Sequence, residues 1–354
     1  MVIGMNTVDC FKNDVRETDF LICFGVGKRF EIFRNLFSSD QIIVDKVYCC
    51  VDNDPSKQGK TVEFSNRLLN IWSMESLIGF VSQHTPKKLL FLITNAKPQP
   101  FIELFQRNKV FNDIKYVLFN DVYADVLDDE LCQKVIPSNI RLTEKELIPR
   151  KIHYCWFGGN PIPDEFIRYM ESWKKYCPDY EIIQWNEDNY DVTKNKYMYD
   201  AYKQKKWAFV SDYARLDIVY QEGGVYLDTD VELLKPLDDF LYQKGFIGTD
   251  IIEIVNTGSG FGAIAGLDII RELRDEYDKL VFLDKEGNCD LTPCTAIQTN
   301  YLLTKGYKKN GEYQRVSDLT IYPVKVFNGI NGMSKKKRTT KYTVALHHYT
   351  GSWH

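Results

Sequence analysis

The 354 residues exceed one ordinary compact domain, and at ~150 residues per domain the length points to two. With 44% hydrophobic and 27% charged residues the chain has globular proportions, which excludes wholesale disorder and collagen-like repeats. Forty-five basic against forty-nine acidic residues leave a formal charge of −4, which argues against a nucleic-acid partner held by bulk charge.

The first half reads as strands alternating with helices. Phe20–Phe24 is a short apolar run closed by Gly25-Val26-Gly27, and Phe30, Phe33 and Phe37 then recur at helical spacing. A second run, Lys46–Val51, stops at the turn residues Asp52-Asn53-Asp54-Pro55. Ser73 can cap a helix carrying Leu77, Ile78 and Val81. Leu89–Ile93 and Lys115–Phe119 are further strands, with a helix from Phe101 between them. Apolar rather than alternating strands, separated by helices, predict a parallel α/β sheet. The pattern fades near Val135, and residues 136–150, with two prolines and little periodicity, read as a linker. The expected domains are therefore 1–140, Rossmann-like, and 150–354.

Gly25-x-Gly27 has the strand-to-helix context of a dinucleotide fingerprint, but Phe30 stands where its third glycine belongs. Two readings stay open: a Rossmann-like domain without cofactor, or NAD binding with a carboxylate at Asp52. Nine scattered cysteines, with no CxxC pair and no zinc spacing, read as free thiols of a reducing compartment. No secretory signal pattern and no apolar run of ~18 residues is found, so a cytoplasmic protein is expected.

The second half opens on a strand, Lys151–Phe157. Its strongest signal runs from Ser211 to Asp230. Ala208–Tyr220 has helical spacing, Gly223-Gly224 can end that helix, and Asp212 and Arg215 share one of its faces. Val225–Leu227 then makes a short strand ending in Asp228-Thr229-Asp230. Two carboxylates at the carboxyl end of a strand lie where α/β sheets place their ligands, and such oxygens suit Mg²⁺ or Mn²⁺. Alone, Asp-Thr-Asp also reads as the start of a turn, and Asp212–Arg215 as a structural pair.

Three blocks, Ile148–Gly159, Ser211–Glu232 and His347–Trp353, stand in the order found in glycosyltransferase family 32. This stretch resembles those DXD sugar transferases, which include capsular-polysaccharide enzymes and yeast mannosyltransferases and are related to the glucosylating domains of clostridial toxins. The turn Val51–Lys60 resembles one in Rossmann-like domains attached to bacterial sugar-modifying enzymes. The main resemblance implies a GT-A domain after the Rossmann-like one, a nucleotide-sugar donor, Mn²⁺ or Mg²⁺, and retention of configuration.

The resemblance also implies roles. Asp230 and Asp228 hold the metal with His348, while His347 faces the other way. Asp228 also touches the donor. Asp212 binds donor sugar hydroxyls, and Arg215 pairs with phosphate or hexose. Trp156 stacks on the base, where an aromatic face is worth ~1–3 kcal/mol, or is simply a core residue. Tyr226 lines the nucleotide pocket or the core. Ser352 and Trp353 reach the diphosphate, and Asn256 approaches donor sugar and acceptor. Lys335–Arg338 is a solvated loop, a loop over the donor, or a patch for an anionic membrane.

The function this implies is hexose transfer, from a UDP-sugar more than from GDP-mannose, to a saccharide or lipid-linked saccharide in bacterial surface or capsular polysaccharide synthesis, at the inner face of the membrane. The alternative is a nucleotide-sugar binding or regulatory protein acting through the Rossmann-like unit.

Overall fold

The computed structural model describes residues 7–84, 88–95, 97–251 and 253–350. The chain forms two compact units that divide after Leu127.

Among its described residues the first unit has strands β1 (Phe20–Phe24), β2 (Val47–Val51), β3 (Thr61–Phe64), β4 (Arg67–Trp72), β5 (Leu89–Ile93) and β6 (Lys115–Leu118). They lie in the order β3-β4-β2-β1-β5-β6, parallel except for β3 at the edge. Helix α1 (Val8–Glu17) precedes them, and α2 (Lys28–Phe37), α3 (Gln41–Lys46), α4 (Met74–Val81) and α5 (Gln99–Arg107) lie between them. Leu21 and Cys23 pack into one core cluster with Phe11, Phe30 and Phe33. Ile22 and Phe24 pack into another with Phe91, Phe101 and Phe105. Burial on both faces is why these strands read as unbroken apolar runs. Ser73 caps α4, accepting from the Ser76 N–H at 3.2 Å.

The division along the chain falls within α6 (Phe119–Leu131), so the residues expected to be a linker belong to the second unit. They are bound there: the N–H groups of Leu142 and Thr143 donate to the Tyr242 carbonyl, and those of Leu147 and Ile148 to that of Leu241. Paired backbone and a buried Ile148 anchor a segment whose composition looks loose.

The second unit contains β7 (Lys151–Cys155), α7 (Asp164–Tyr176), β8 (Glu181–Trp185), α8 (Lys196–Lys203), α9 (Trp207–Glu222), β9 (Gly224–Tyr226) and β10 (Val231–Leu233). It continues with β11 (Gly245–Thr249), β12 (Val255–Ala263), α10 (Asp268–Asp275), α11 (Cys294–Thr304), β13 (Gln314–Val316), β14 (Leu319–Tyr322), α12 (Val324–Phe327) and β15 (Ala345–His347). The mixed sheet runs β13-β14-β11-β12-β9-β7-β8, and among the described residues β10 pairs with β15 alone. The protein is thus α/β, as expected.

α9 ends where Gly223 and Gly224 both take positive φ, +64° and +103°. A Cβ on Gly224 would meet the Nε2 of His153, so the chain turns from helix to sheet against that buried ring. His153 accepts from the Trp185 indole at Nδ1, which leaves Nε2 to donate to the Gly223 carbonyl at 2.7 Å. All nine cysteines are free. Among the described residues no helix is long and apolar enough to cross a membrane.

Candidate active site

The short strand β9 delivers Asp228 to the mouth of a cavity of about 570 Å³. The Asp228 N–H donates to the Gly258 carbonyl at 2.9 Å, tying the turn to β12. Tyr226 donates its hydroxyl to Asp228 Oδ1 at 3.1 Å. The Arg215 guanidinium lies 3.3 Å from the same oxygen and 3.1 Å from Asp212 Oδ1. Its carbon sits over the Tyr226 ring, 4.9 Å from the centroid. Two side chains, Tyr226 and Arg215, therefore hold Asp228, with Asp212 behind Arg215.

Asp212 is fully buried and lines no part of the cavity. Burial pushes its carboxyl up to about 6 despite the charge of Arg215. The expected contact with donor hydroxyls gives way to a role beneath Arg215. Of the two readings of Tyr226, pocket or core, the structure shows the core: it is 1% exposed, packs on the α9 side of the sheet and does not line the cavity, and its hydroxyl meets Asp228. Arg215, Trp156, Asp228, Asp230 and Asn256 do line the cavity. Trp156 is half-buried, and its indole N–H donates to the Asn160 carbonyl at 2.6 Å.

The assignment of the histidine is corrected. β15 runs antiparallel to β10 with His347 opposite Val231, which turns His347 inward and His348 outward. His347 Nε2 lies 3.2 Å from Asp230 Oδ1, and its ring stacks on Tyr349 at 4.1 Å. His348 stacks on Tyr169 at 3.8 Å and meets Glu232 at 3.0 Å, away from the carboxylates. Successive strand residues face opposite ways, so an error of one position exchanges the two rings.

Asp230 Oδ2 accepts from both the N–H and the hydroxyl of Thr350, each at 3.0 Å. Burial would raise this carboxyl, but His347 and Thr350 together hold it well below the ordinary carboxylate range. Burial would lower His347, and the charge and hydrogen bond of Asp230 raise it instead. Ligand atoms of Asp228, Asp230 and His347 all lie within 4.8 Å of one another. Two carboxylates and an imidazole within this span are a donor set that fits a divalent cation.

His347→Ala is expected to weaken Mn²⁺ binding 10-fold or more by calorimetry, whereas His348→Ala changes it less than threefold. The reverse order would restore the original assignment.

Two lining residues carry no clear signal in the sequence, Trp207 and Asp250, while His347 and Tyr349 lie in the block His347–Trp353 but are not among its expected site residues. Trp207 is the first residue of α9 and lies against Gly158, where a Cβ would overlap its ring. Lys335 Nζ donates to the Tyr349 carbonyl at 2.9 Å, and Arg338 pairs with Asp128 and Asp129. Lys335 and Arg338 of the basic run thus engage the unit's own groups. Ser352 and Trp353 lie outside the described residues.

In the first unit, Asp52 closes the glycine turn. Its Oδ2 accepts from the Val26 N–H at 2.8 Å and pairs with Lys57 at 3.1 Å, and its Oδ1 accepts from the Asp54 N–H. Phe30 fills the core under α2. The carboxylate that a ribose would need is already engaged.

Residues 163–247 match the family described as glycosyltransferase sugar-binding region containing DXD motif. The chain is 28% identical over 196 residues to an uncharacterized glycosyltransferase of Acanthamoeba polyphaga mimivirus, covering 52% of this chain and 77% of that protein. It is 32% identical over 113 residues to inositol phosphoceramide mannosyltransferase 1 of Schizosaccharomyces pombe, covering 29% of this chain and 34% of that protein. A solved structure, PaToxG Glycosyltransferase, shares 16% identity over 43% of this chain and 67% of its own, with a TM-score of 0.32, too low to equate the folds. The matched region contains Asp212, Arg215, Asp228 and Asp230, so the similarity to DXD-containing glycosyltransferases falls on the residues that build this site.

Proposed function

We propose that the second unit transfers a hexose from a nucleoside diphosphate sugar to a saccharide acceptor, free or lipid-linked, in surface or capsular polysaccharide assembly. The proposed cation is Mn²⁺ or Mg²⁺, held by Asp228, Asp230 and His347. The observation that carries this reading is the convergence of those three side chains at a cavity of about 570 Å³ that Trp156 also lines. A sugar nucleotide needs both features, a cation for its diphosphate and a flat apolar face for its base.

When bound, the ion neutralises charge on the departing diphosphate. The protein's own contribution is to keep the ligands fixed. Arg215 and Tyr226 orient Asp228, and Thr350 and His347 orient Asp230. Groups set before the donor arrives need no reorganisation during transfer. Lys205 and Lys206 also line the cavity and add positive charge for an anionic donor. Retention of configuration is the stereochemistry proposed, on the family resemblance. The mannosyltransferase name of the fission-yeast relative supports mannose as the sugar, beside the UDP-hexoses.

Thermal-shift titration with UDP-glucose, UDP-galactose and GDP-mannose, with and without Mn²⁺, tests this reading. The true donor at 100 times its Kd should add ~2.7 kcal/mol of apparent stability, and only with the cation present. No shift with any of them, and no release of free sugar, would reject the reading.

A further inference from the structure

Asp250 stands at the end of β11, on the turn into β12, and lines the same cavity as the Asp-x-Asp pair. Its backbone closes that turn: its N–H donates to the Ile254 carbonyl at 2.7 Å, and its carbonyl accepts from the Glu253 N–H at 2.8 Å. Asp228 pairs with Arg215 and Asp230 with His347, but Asp250 has no ion pair among the described residues. It also stands apart from the three metal-ligating side chains. Tyr349 stacks its ring on His347 at 4.1 Å and donates its hydroxyl to Asn328 Oδ1 at 3.1 Å.

Asn256 completes the pair. Its Oδ1 accepts from the N–H groups of Gly258 and Ser259, at 2.8 and 3.3 Å, which fixes the amide orientation. The Nδ2 group then points at Asp250 Oδ2, 3.4 Å away. Carboxylate acceptors and an amide donor thus stand together on one wall. Sugar hydroxyls, which both donate and accept, match such a pair. A diphosphate does not, because the carboxylate repels it.

We propose that Asp250, beside Asn256, seats the acceptor by taking a hydrogen bond from a hydroxyl of a pyranoside. The inference rests on the nucleotide-sugar reading and assigns the acceptor end of the same cavity. Asp250 acts by binding, and the bonds that form and break are those of the transfer itself.

The test uses the full chain, Mn²⁺ and the donor that gives the largest thermal shift. Methyl α-pyranosides of mannose, glucose and galactose serve as acceptor probes, and both products are measured: the new disaccharide and the free sugar released by water. For the Asp250→Asn variant the KM of the preferred methyl pyranoside should rise at least 10-fold. The ratio of disaccharide to free sugar should fall by a similar factor, because a site built to bind a hydroxyl discriminates strongly when the partner is altered. Equal loss of both products, or an unchanged KM, overturns the assignment. So does a wild-type protein that hydrolyses donor but transfers to none of the three probes. A wild-type protein that neither hydrolyses nor transfers any donor removes the nucleotide-sugar reading, and this inference with it.

Discussion

Asp230→Ala is expected to reduce sugar transfer by about 10³-fold and to abolish its dependence on added Mn²⁺. The magnitude follows from the loss of several kcal/mol of charge stabilisation when a cation site at the leaving group is dismantled. Asp230 is the better choice than Asp228 because it bridges two elements. Its carboxylate meets His347 on β15 and both donors of Thr350. Folding should suffer less: breaking hydrogen bonds to a charged group costs about 1–3 kcal/mol. Transfer assays across a Mn²⁺ titration, alongside denaturant melts, separate the two effects. A variant that keeps its activity in excess chelator would reject the site.

Arg215→Leu is expected to destabilise the second unit by about 3–5 kcal/mol, the range for removing one partner of a buried ion pair. Arg215 is 3% exposed and is the cation facing both Asp212 and Asp228. Without it, fully buried Asp212 has no counter-charge within ion-pair distance among the described residues. Asp212 is already raised to about 6 by burial and should rise further in the variant. A carboxyl raised above its unfolded value of ~3.9 favours the folded state below that pH, and this contribution is lost as pH rises through the folded value. Below about pH 6 Asp212 is protonated in both folded proteins, so the variant's deficit should be constant there and widen only as pH rises above about 6. Arg215→Leu with Asp212→Leu should recover part of the loss. Equal unfolding midpoints for Arg215→Leu and wild type would show that the pair contributes nothing.

The parts legible in the sequence are those set by local rules. An apolar strand, a glycine pair that stops a helix and the Asp-x-Asp that follows are contiguous, so Asp228 and Asp230 could be placed from residues 208–230 alone. The parallel sheet of the first unit was legible for the same reason. The choice between His347 and His348 was not. The phase of β15 is set by its pairing with Val231, more than a hundred residues away. Asp212 and Arg215 share a face of α9, but that helix buries residues around most of its circumference. Its sequence therefore does not show which side meets the cavity. Asp250 follows a strand with no distinguishing pattern, and only the packing of β11 beside β12 brings it to the site.

The ribbon of β10 and β15 also bears on how the protein acquires its site. Asp230 and Thr350 are 120 residues apart in sequence, yet they share two hydrogen bonds. No early fragment of the second unit can hold both walls of the cation site. Contacts of such long sequence separation tend to form late, because the chain must lose much loop entropy before they reward it. A nascent chain lacking β15 would carry the carboxylates without the imidazole. Cation affinity would then appear at the end of folding, and its time course would report completion of the second unit rather than its collapse.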